Sequence, residues 1–328
     1  MKRRFFVSFA AICFLVLASP PTEAQSVRLG LDWLILSQHS PYIIALEKGY
    51  WKEAGLDVQV SRGWGSADGV RRLVNRASDI VFADAGALAV GRAKGAKAKL
   101  VAMMYAKAPF AFYSKPKTGI LKPKDLEGKT IGAPPGDGTR VVFPAFAKLV
   151  GIDTGKVKWI DVDPAAKAPM VMAEKMDAAT NYLFERVTWR KFFTPDKGGL
   201  NEMFLYQYGF NVYGNGLMAL DEDIEAKAEV VRKVTQGALR GYQYALDHMD
   251  EAAAIFAKKF PTQNPGIIRD VLPVLKEVVL SPEVLAKCIG WIEDSIMERT
   301  AKVMLEAYNV KEPVNHKDLY TRAFLPCK

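Results

Sequence analysis

Short apolar runs alternate with longer helical stretches along the sequence from Ser26 onward. Val27–Leu31 and Leu56–Val60 are the first two candidate strands, and apolar residues recur at helical spacing between them, over Pro41–Lys52. The alternation continues to Met104 and predicts a βαβαβαβ arrangement. Strands connected through helices lie mostly parallel in one sheet, so the pattern predicts an α/β fold with mostly parallel strands.

A second block of the same kind follows, and it predicts a second domain. Its candidate strands are Phe110–Tyr113, Lys129–Gly132, Lys156–Ile160 and Asp177–Tyr182. From about Asp221 the pattern is helical throughout. Stretches containing proline and glycine at Ser114–Gly119 and Tyr208–Gly216 are where we expect the chain to cross between the domains.

Residues 1–24 have the pattern of a cleavable signal peptide. Basic residues at Lys2–Arg4 precede an apolar run, Phe5–Ala18, and Thr22–Ala24 forms a small-residue cleavage site. We expect cleavage to leave Gln25 at the mature N-terminus and the protein in the periplasm. The alternative is an uncleaved anchor, but the run is shorter than the roughly 20 residues that span a bilayer.

The net charge of the mature chain and its two cysteines indicate which partners and which cross-links to expect. Removal of the signal peptide lowers the formal net charge from +9 to +7, and the basic residues are scattered rather than clustered with aromatic residues. We therefore expect no nucleic-acid partner. Cys288 and Cys327 remain in an oxidising compartment, where they either form a disulfide or stay as two thiols.

Motifs for cofactors, metals and covalent catalysis are absent from the sequence. The turn at Gly63–Asp68 lacks the third glycine of GxGxxG, and neither GxxxxGK[ST] nor GxSxG occurs. His39, His248 and His316 lie far apart and have no metal-binding spacing. We expect a protein without cofactor or metal that is not an enzyme.

Several segments resemble a known family. The most specific is Ala45–Val58, which reads Ala-Leu-Glu-Lys-Gly-Tyr-Trp-Lys-Glu-Ala-Gly-Leu-Asp-Val, and it follows Asp32-Trp33 and His39–Tyr42. Gly63–Asp68 and Lys124–Gly132 extend the match. Together these segments resemble the NMT1/THI5-like solute-binding proteins, a family that includes binders of nitrate, sulfonates and taurine.

The resemblance implies a type II periplasmic-binding-protein fold, in which two α/β lobes joined by two crossovers close on a ligand. We expect one lobe to comprise residues 25–108 and 215–328, including the helical C-terminal part, and the other to comprise residues 109–214. The resemblance also implies a monomer that delivers a small molecule to the permease of an ABC transporter in the inner membrane.

The candidate ligand-binding residues follow predicted strands or begin predicted helices, where crevices of open α/β sheets form. They are Asp32, Trp33, His39, Tyr42, Trp64, Ser66, Asp84, Gly136, Asp137, Gly138, Thr139, Asn181, Tyr182 and Glu185. Trp33 offers a flat face to a ring and Asp32 an acceptor to an amine. The alternative roles are core packing for Trp33, and capping for Asp32 and His39.

Two glycine-containing turns, Gly63–Ser66 and Gly136–Thr139, begin helices whose backbone N–H groups could hold an anion. Their alternative role is simply to turn the chain. Asp137 argues against a strongly anionic ligand at the second turn, although Arg140 could offset its charge.

The ligand is the least constrained part of this interpretation. The Leu31-Asp32-Trp33 and His39 pattern resembles binders of thiamin-pyrimidine precursors, so we expect a small planar heterocyclic or aromatic ligand. The alternatives are an aliphatic sulfonate, nitrate or an aromatic carboxylate. A more remote alternative is a pyrimidine-synthase-like enzyme, but the Cys-Cys-Cys-Phe-Cys run of those enzymes is absent here.

Overall fold

The computed structural model describes residues 24–312 and 314–327, so the expected signal peptide lies outside the described residues except for Ala24. The first of two five-stranded sheets has the order β2-β1-β3-β10-β4. Its strands are β1 (Gln25–Gly30), β2 (Leu56–Ser61), β3 (Ile80–Asp84), β4 (Ala98–Met103) and β10 (Asn215–Leu220). The half of the molecule built on this sheet is called the first lobe.

The second sheet, which forms the core of the second lobe, has the order β7-β6-β8-β5-β9. Its strands are β5 (Phe110–Ser114), β6 (Thr130–Gly132), β7 (Lys158–Ile160), β8 (Ala178–Tyr182) and β9 (Asn201–Phe204). The predicted α/β fold of two lobes joined by two crossovers is thus confirmed.

Each crossover is followed by a strand that runs against its neighbours. The chain leaves the first sheet after Met103 and enters the second at β5, which is antiparallel to β8 and β9. It returns to the first sheet at β10, which is antiparallel to β3 and β4. Ser114–Gly119 was therefore wrongly predicted as a crossover, because the chain has already crossed before β5.

Helices cover the faces of both sheets. Those of the first block and the second lobe are α1 (Ser40–Glu47), α2 (Tyr50–Glu53), α3 (Ser66–Val74), α4 (Ala85–Ala93), α5 (Gly138–Val150), α6 (Lys167–Met172) and α7 (Arg186–Phe192). The C-terminal helices are α8 (Asp221–Ala226), α9 (Ala228–Asp247), α10 (Met249–Lys259), α11 (Pro265–Val279), α12 (Pro282–Ala286) and α13 (Asp294–Ala307). None of the helices in the described ranges is long and apolar enough to cross a membrane.

The long helix α9 packs closely against α1 and α2, beside the loop that carries the candidate site. The indole N–H of Trp51 donates to the carbonyl of Val234 at 2.9 Å, and both groups are buried. A side chain at Gly237 would collide with the Trp51 ring, since a Cβ atom there would lie 2.2 Å from it. This contact fixes the C-terminal helices onto the first lobe.

The C-terminal segment is held against the edge strand of the first sheet. Cys288 and Cys327 form a disulfide, which decides between the two possibilities left open above. Tyr320 pairs with Leu100 of β4, and the Thr321 N–H donates to the Leu100 carbonyl at 2.9 Å. The tail therefore covers a strand edge that would otherwise be open to another chain.

Candidate functional site

A small cavity lies between the lobes, at the carboxyl ends of β1 and β8. Eight predicted site residues and three others touch it, and the closed lobes leave space for about one water molecule. The residues that line it are Asp32, Trp33, Gln38, Gly65, Ser66, Asp137, Gly138, Lys167, Asn181, Tyr182 and Glu185. Both lobes contribute polar side chains to it.

Asp32 follows β1 and is held by two side chains of its own lobe. The backbone N–H of Leu36 donates to His39 Nδ1 at 3.2 Å, so the ring proton is on Nε2, which donates to Asp32 Oδ1 at 2.9 Å. The Asn215 amide donates to Asp32 Oδ2 at 2.8 Å. His39 is 1% exposed and has both ring nitrogens bonded, so it positions Asp32 and does not line the cavity.

Asn215 also joins the two lobes. Its Oδ1 accepts a hydrogen bond from the Tyr182 hydroxyl at 3.2 Å, across the interlobe boundary. Sequence reasoning missed Asn215 because β10 was not recognised as a strand. Because β10 runs antiparallel to β3, the first residue of β10 lies beside Asp84 at the carboxyl end of β3, so the rule that identified Asp32 would not have selected Asn215.

Trp33 presents its ring to a lysine of the second lobe. The Lys167 ammonium lies 4.5 Å from the ring centroid, in the range of a cation–π contact. The same ammonium donates to the Thr180 carbonyl at 2.7 Å and lies 3.6 Å from the Asp137 carboxylate. Lys167 is 3% exposed, and nothing in the local sequence marks this lysine as buried.

The glycine turn of the second lobe meets the corresponding turn of the first. The Ala67 N–H donates to the Gly136 carbonyl at 3.2 Å. A Cβ atom on Gly65, whose φ is +119°, would lie 2.1 Å from that carbonyl oxygen, so glycine is required there. Gly136 thus contributes a lobe–lobe contact and does not line the cavity.

Asp137 and Thr139 satisfy protein groups around the start of α5. Asp137 Oδ1 accepts from the Arg140 N–H at 3.0 Å, and the Thr139 hydroxyl donates to the Asn181 carbonyl at 3.0 Å. The Arg140 guanidinium turns to Asp161 at 2.7 Å, and it does not line the cavity. Arg140, which could have offset the Asp137 charge, is therefore paired elsewhere, and the Lys167 ammonium lies 3.6 Å from the Asp137 carboxylate at the cavity.

Asn181, Glu185 and Trp189 form a connected group in the second lobe. With its amide oriented to satisfy both partners, Asn181 donates to the Glu185 carboxylate and accepts from the Trp189 indole N–H at 2.8 Å. Burial raises the pKa of Glu185 to about 7, with Lys167 opposing that shift and the Asp137 and Asp32 charges adding to it. Glu185 therefore changes charge near neutral pH.

Three predicted residues lie away from the cavity. Tyr42 is fully buried, and its ring packs 5.3 Å from that of Phe82 because it lies on the core face of α1. Trp64 is 49% exposed under the Arg62 guanidinium. Asp84 caps α4 by accepting from the Ala87 N–H at 2.9 Å, so its carboxylate serves the helix.

Carboxyl groups outnumber ammonium groups among the residues that line the cavity. Asp32, Asp137 and Glu185 contribute three carboxyl groups, and Lys167 contributes the one ammonium among the lining residues. Ser66 adds a buried hydroxyl to the cavity wall. These ranges contain no group of three or more His, Cys, Asp or Glu side chains that could hold a metal ion. The arrangement suits a neutral or cationic ligand that carries N–H donors.

Comparisons with known proteins match the chain over most of its length. The riboflavin-binding protein RibY of Chloroflexus aurantiacus is 26% identical over 322 residues, which cover 94% of this chain and 90% of that protein. The formylaminopyrimidine-binding protein of Halalkalibacterium halodurans is 23% identical over 281 residues, 84% of each protein.

A solved structure shares the fold. The alkanesulfonate-binding protein SsuA from Xanthomonas axonopodis pv. citri, bound to MOPS, aligns with a TM-score of 0.70 at 14% identity, covering 92% of this chain and 99% of that one. The profile of the family described as NMT1/THI5 like matches residues 36–252, more than half of the 328 residues. The protein belongs to the NMT1/THI5-like family.

Proposed function

We propose that this protein is the solute-binding component of an ABC importer and that it traps a small planar heterocycle bearing N–H donors. Two lobes close on the ligand. The first comprises residues 25–108 and 215–328, and the second comprises residues 109–214. The cavity supports this proposal because side chains from both lobes line it, so closure is favourable only when a ligand satisfies them together. The two curated relatives, by their names, bind riboflavin and formylaminopyrimidine.

The observation that most supports the proposal is that Asp32, Asp137 and Glu185 line the same cavity as Trp33. An aromatic ring stacked on an indole gains about 1 kcal/mol beyond simple burial. Ring amines or ring N–H groups at its edge would donate to the carboxylates. Nitrate or an aliphatic sulfonate gains little from the indole and would be repelled by the carboxylates.

The start of α5 offers such an anion little. Its first turn is capped by the Asp137 carboxylate, and Arg140 is paired with Asp161. Lys167 favours a second candidate, an aromatic carboxylate, because its ammonium lies directly over the Trp33 ring. We therefore expect sulfonates and nitrate to bind more weakly than either class of ring-containing ligand.

We infer that the protein binds and does not catalyse. His39 lies in the region where a pyrimidine-synthase-like enzyme would use a histidine, and its ring is buried and bonded on both nitrogens to groups of its own lobe. It holds Asp32 in place and does not approach the ligand. This supports a positioning role for His39.

We further propose that the mature chain begins at Gln25, acts as a monomer in the periplasm and docks on an inner-membrane permease. The sequence of residues 1–24 supports export. Intact-mass analysis of the exported protein tests the cleavage site. A species that retains residues 1–24 in the membrane fraction would contradict this localisation.

A thermal-shift screen of the mature protein tests the ligand class. Saturating ligand stabilises a protein by a few kcal/mol, about 2.7 at a hundredfold excess over Kd. We expect stabilisation by aminopyrimidines or flavins and none by nitrate or alkanesulfonates. Stabilisation by nitrate or sulfonates alone would overturn the proposal, and stabilisation by aromatic carboxylates alone would favour the second candidate.

A further inference from the structure

A larger groove opens outward from the cavity described above. It shares Trp33, Gln38, Lys167 and Glu185 with that inner cavity, so the two spaces adjoin each other at these four residues. The groove encloses about 420 Å³, against about 10 Å³ for the inner cavity. Ligand pockets commonly measure about 300–1,000 Å³, so of these two interlobe spaces the groove has room for a ring system and the inner cavity does not.

Both lobes form the walls of this outer groove. The first lobe contributes Leu36 from the loop after β1 and Ile267 from α11. The second lobe contributes Ala168 from α6, Phe184 beside β8 and Phe192 from α7. Phe192 is 50% exposed at the mouth of the groove. A flat apolar body placed here would be held from both sides on closure.

Two polar side chains that line only the groove, Gln263 and Asn264, are already bonded to protein groups. Gln263 donates to the Ile35 carbonyl at 2.7 Å, and Asn264 accepts from the Gly266 N–H at 2.8 Å at the start of α11. The groove walls are predominantly apolar, while Lys167 and Glu185 lie at its inner end. The groove therefore matches a molecule with one polar edge and one apolar edge.

We propose that the outer groove holds a fused-ring heteroaromatic system, with its polar edge directed to Lys167 and Glu185 and its apolar edge between Phe192 and Ile267. This inference rests on the proposed function and narrows its ligand class. A single six-membered ring would leave most of the groove in contact with water. A fused system of two or three rings covers the apolar walls and still reaches the inner carboxylates.

The test compares a fused-ring probe with a single-ring probe, riboflavin and 4-aminopyrimidine, by calorimetric titration of the mature protein. Ala168→Trp fills the groove and Phe192→Ala removes part of its wall. We expect each to weaken riboflavin binding by about tenfold or more, and 4-aminopyrimidine binding by a clearly smaller factor. Leu149→Ala, at an exposed apolar residue that lines neither space, serves as the matched control and should change neither affinity.

The outcomes separate this inference from the proposed function. If 4-aminopyrimidine binds and riboflavin does not, or if the groove variants weaken both probes equally, the inference is wrong and the proposed function stands. If neither probe nor any other heterocycle binds, both are wrong. If Phe192→Ala abolishes transport while riboflavin affinity is unchanged, the groove contacts the permease and does not hold the ring.

Discussion

The Lys167 ammonium of the second lobe lies 4.5 Å from the centre of the Trp33 ring of the first, and both residues line the interlobe cavity. The same ammonium lies 3.6 Å from Asp137 and donates to Thr180. An internal cation thus occupies the position over the ring, among carboxyl groups. A ligand that stacks on Trp33 must displace this ammonium or share the site with it.

Replacement of Lys167 distinguishes the two ring-containing ligand classes. Lys167→Met removes the cation that would pair with an aromatic carboxylate, so we expect benzoate-like ligands to bind about tenfold or more weakly, because truncating one partner of a buried charge pair costs a few kcal/mol. Aminopyrimidines should keep or gain affinity, because a positive charge near their amines is removed. Titration calorimetry measures both.

The control is Lys148→Met, which removes a more exposed lysine that pairs with Glu306 across the lobes at 3.3 Å. This variant should not change the preference between the two ligands. If Lys167→Met weakens aminopyrimidines as strongly as carboxylates, Lys167 supports the cavity walls and does not select the ligand.

We expect the Trp33 ring to increase ligand affinity by stacking on the ligand ring, and not only by filling space in the cavity wall. Trp33→Ala should weaken heterocycle binding by at least about tenfold, while Trp33→Phe should retain part of the affinity because a ring face remains. Trp64→Ala is the matched control, since this tryptophan is 49% exposed and does not line the cavity. Equal losses for Trp33→Ala and Trp64→Ala would contradict the stacking role.

The hydrogen bond from Tyr182 to Asn215 is expected to stabilise the closed state. Tyr182→Phe removes this cross-lobe bond, worth about 1 kcal/mol, and should weaken ligand binding about fivefold. Tyr113→Phe removes a bond of 3.0 Å to the Tyr182 carbonyl within the second lobe. This control should lower the melting temperature with little effect on Kd. The reverse pattern would show that the Tyr182 bond does not couple the lobes.

Much of the fold follows from local sequence patterns. The predicted strands at Val27–Leu31 and Leu56–Val60 end within one residue of β1 (Gln25–Gly30) and β2 (Leu56–Ser61), and buried apolar residues alternate with exposed polar ones along both strands. The stretch from about Asp221 that the pattern predicted to be helical contains the six helices α8 to α13. β10 was missed because its place between β3 and β4 depends on the chain returning from the second lobe.

The site residues that were predicted correctly lie at strand ends or at the starts of helices. Asp32 and Asn181 lie at the cavity because polar residues at the carboxyl ends of strands converge in this fold. Tyr42 and Lys167 show what local patterns miss. Helix α1 turns Tyr42 into the core, and Lys167 is buried only because Thr180, Asp137 and Trp33 surround it in the folded chain.

The pH dependence of stability tests the buried carboxyl of Asp84. This residue is fully buried, and burial raises its pKa to about 8. Since the unfolded chain releases this proton near pH 4, at a pKa of about 3.9, the folded state binds more protons between those values. The stability that Asp84 contributes to the folded state is therefore fully present below about pH 4 and is lost as the pH rises towards 8. The raised pKa of Glu185, about 7, makes the unfolding free energy fall with rising pH in the same way.

Asp84→Asn keeps a capping oxygen for the Ala87 N–H but cannot ionise. We expect urea denaturation between pH 4 and pH 8 to show a smaller loss of unfolding free energy for this variant than for the wild type. Parallel curves for the two proteins would show that Asp84 is ionised in the folded state throughout this range.

Small-angle X-ray scattering of the mature protein tests most directly the claim that the two lobes trap a donor-bearing heterocycle. In the absence of ligand the acidic cavity should hold the lobes apart in part of the population, and saturating aminopyrimidine or flavin should reduce the radius of gyration. Nitrate and alkanesulfonates should leave the radius unchanged. A radius that no ligand alters, or that decreases with nitrate or sulfonate alone, would contradict the account.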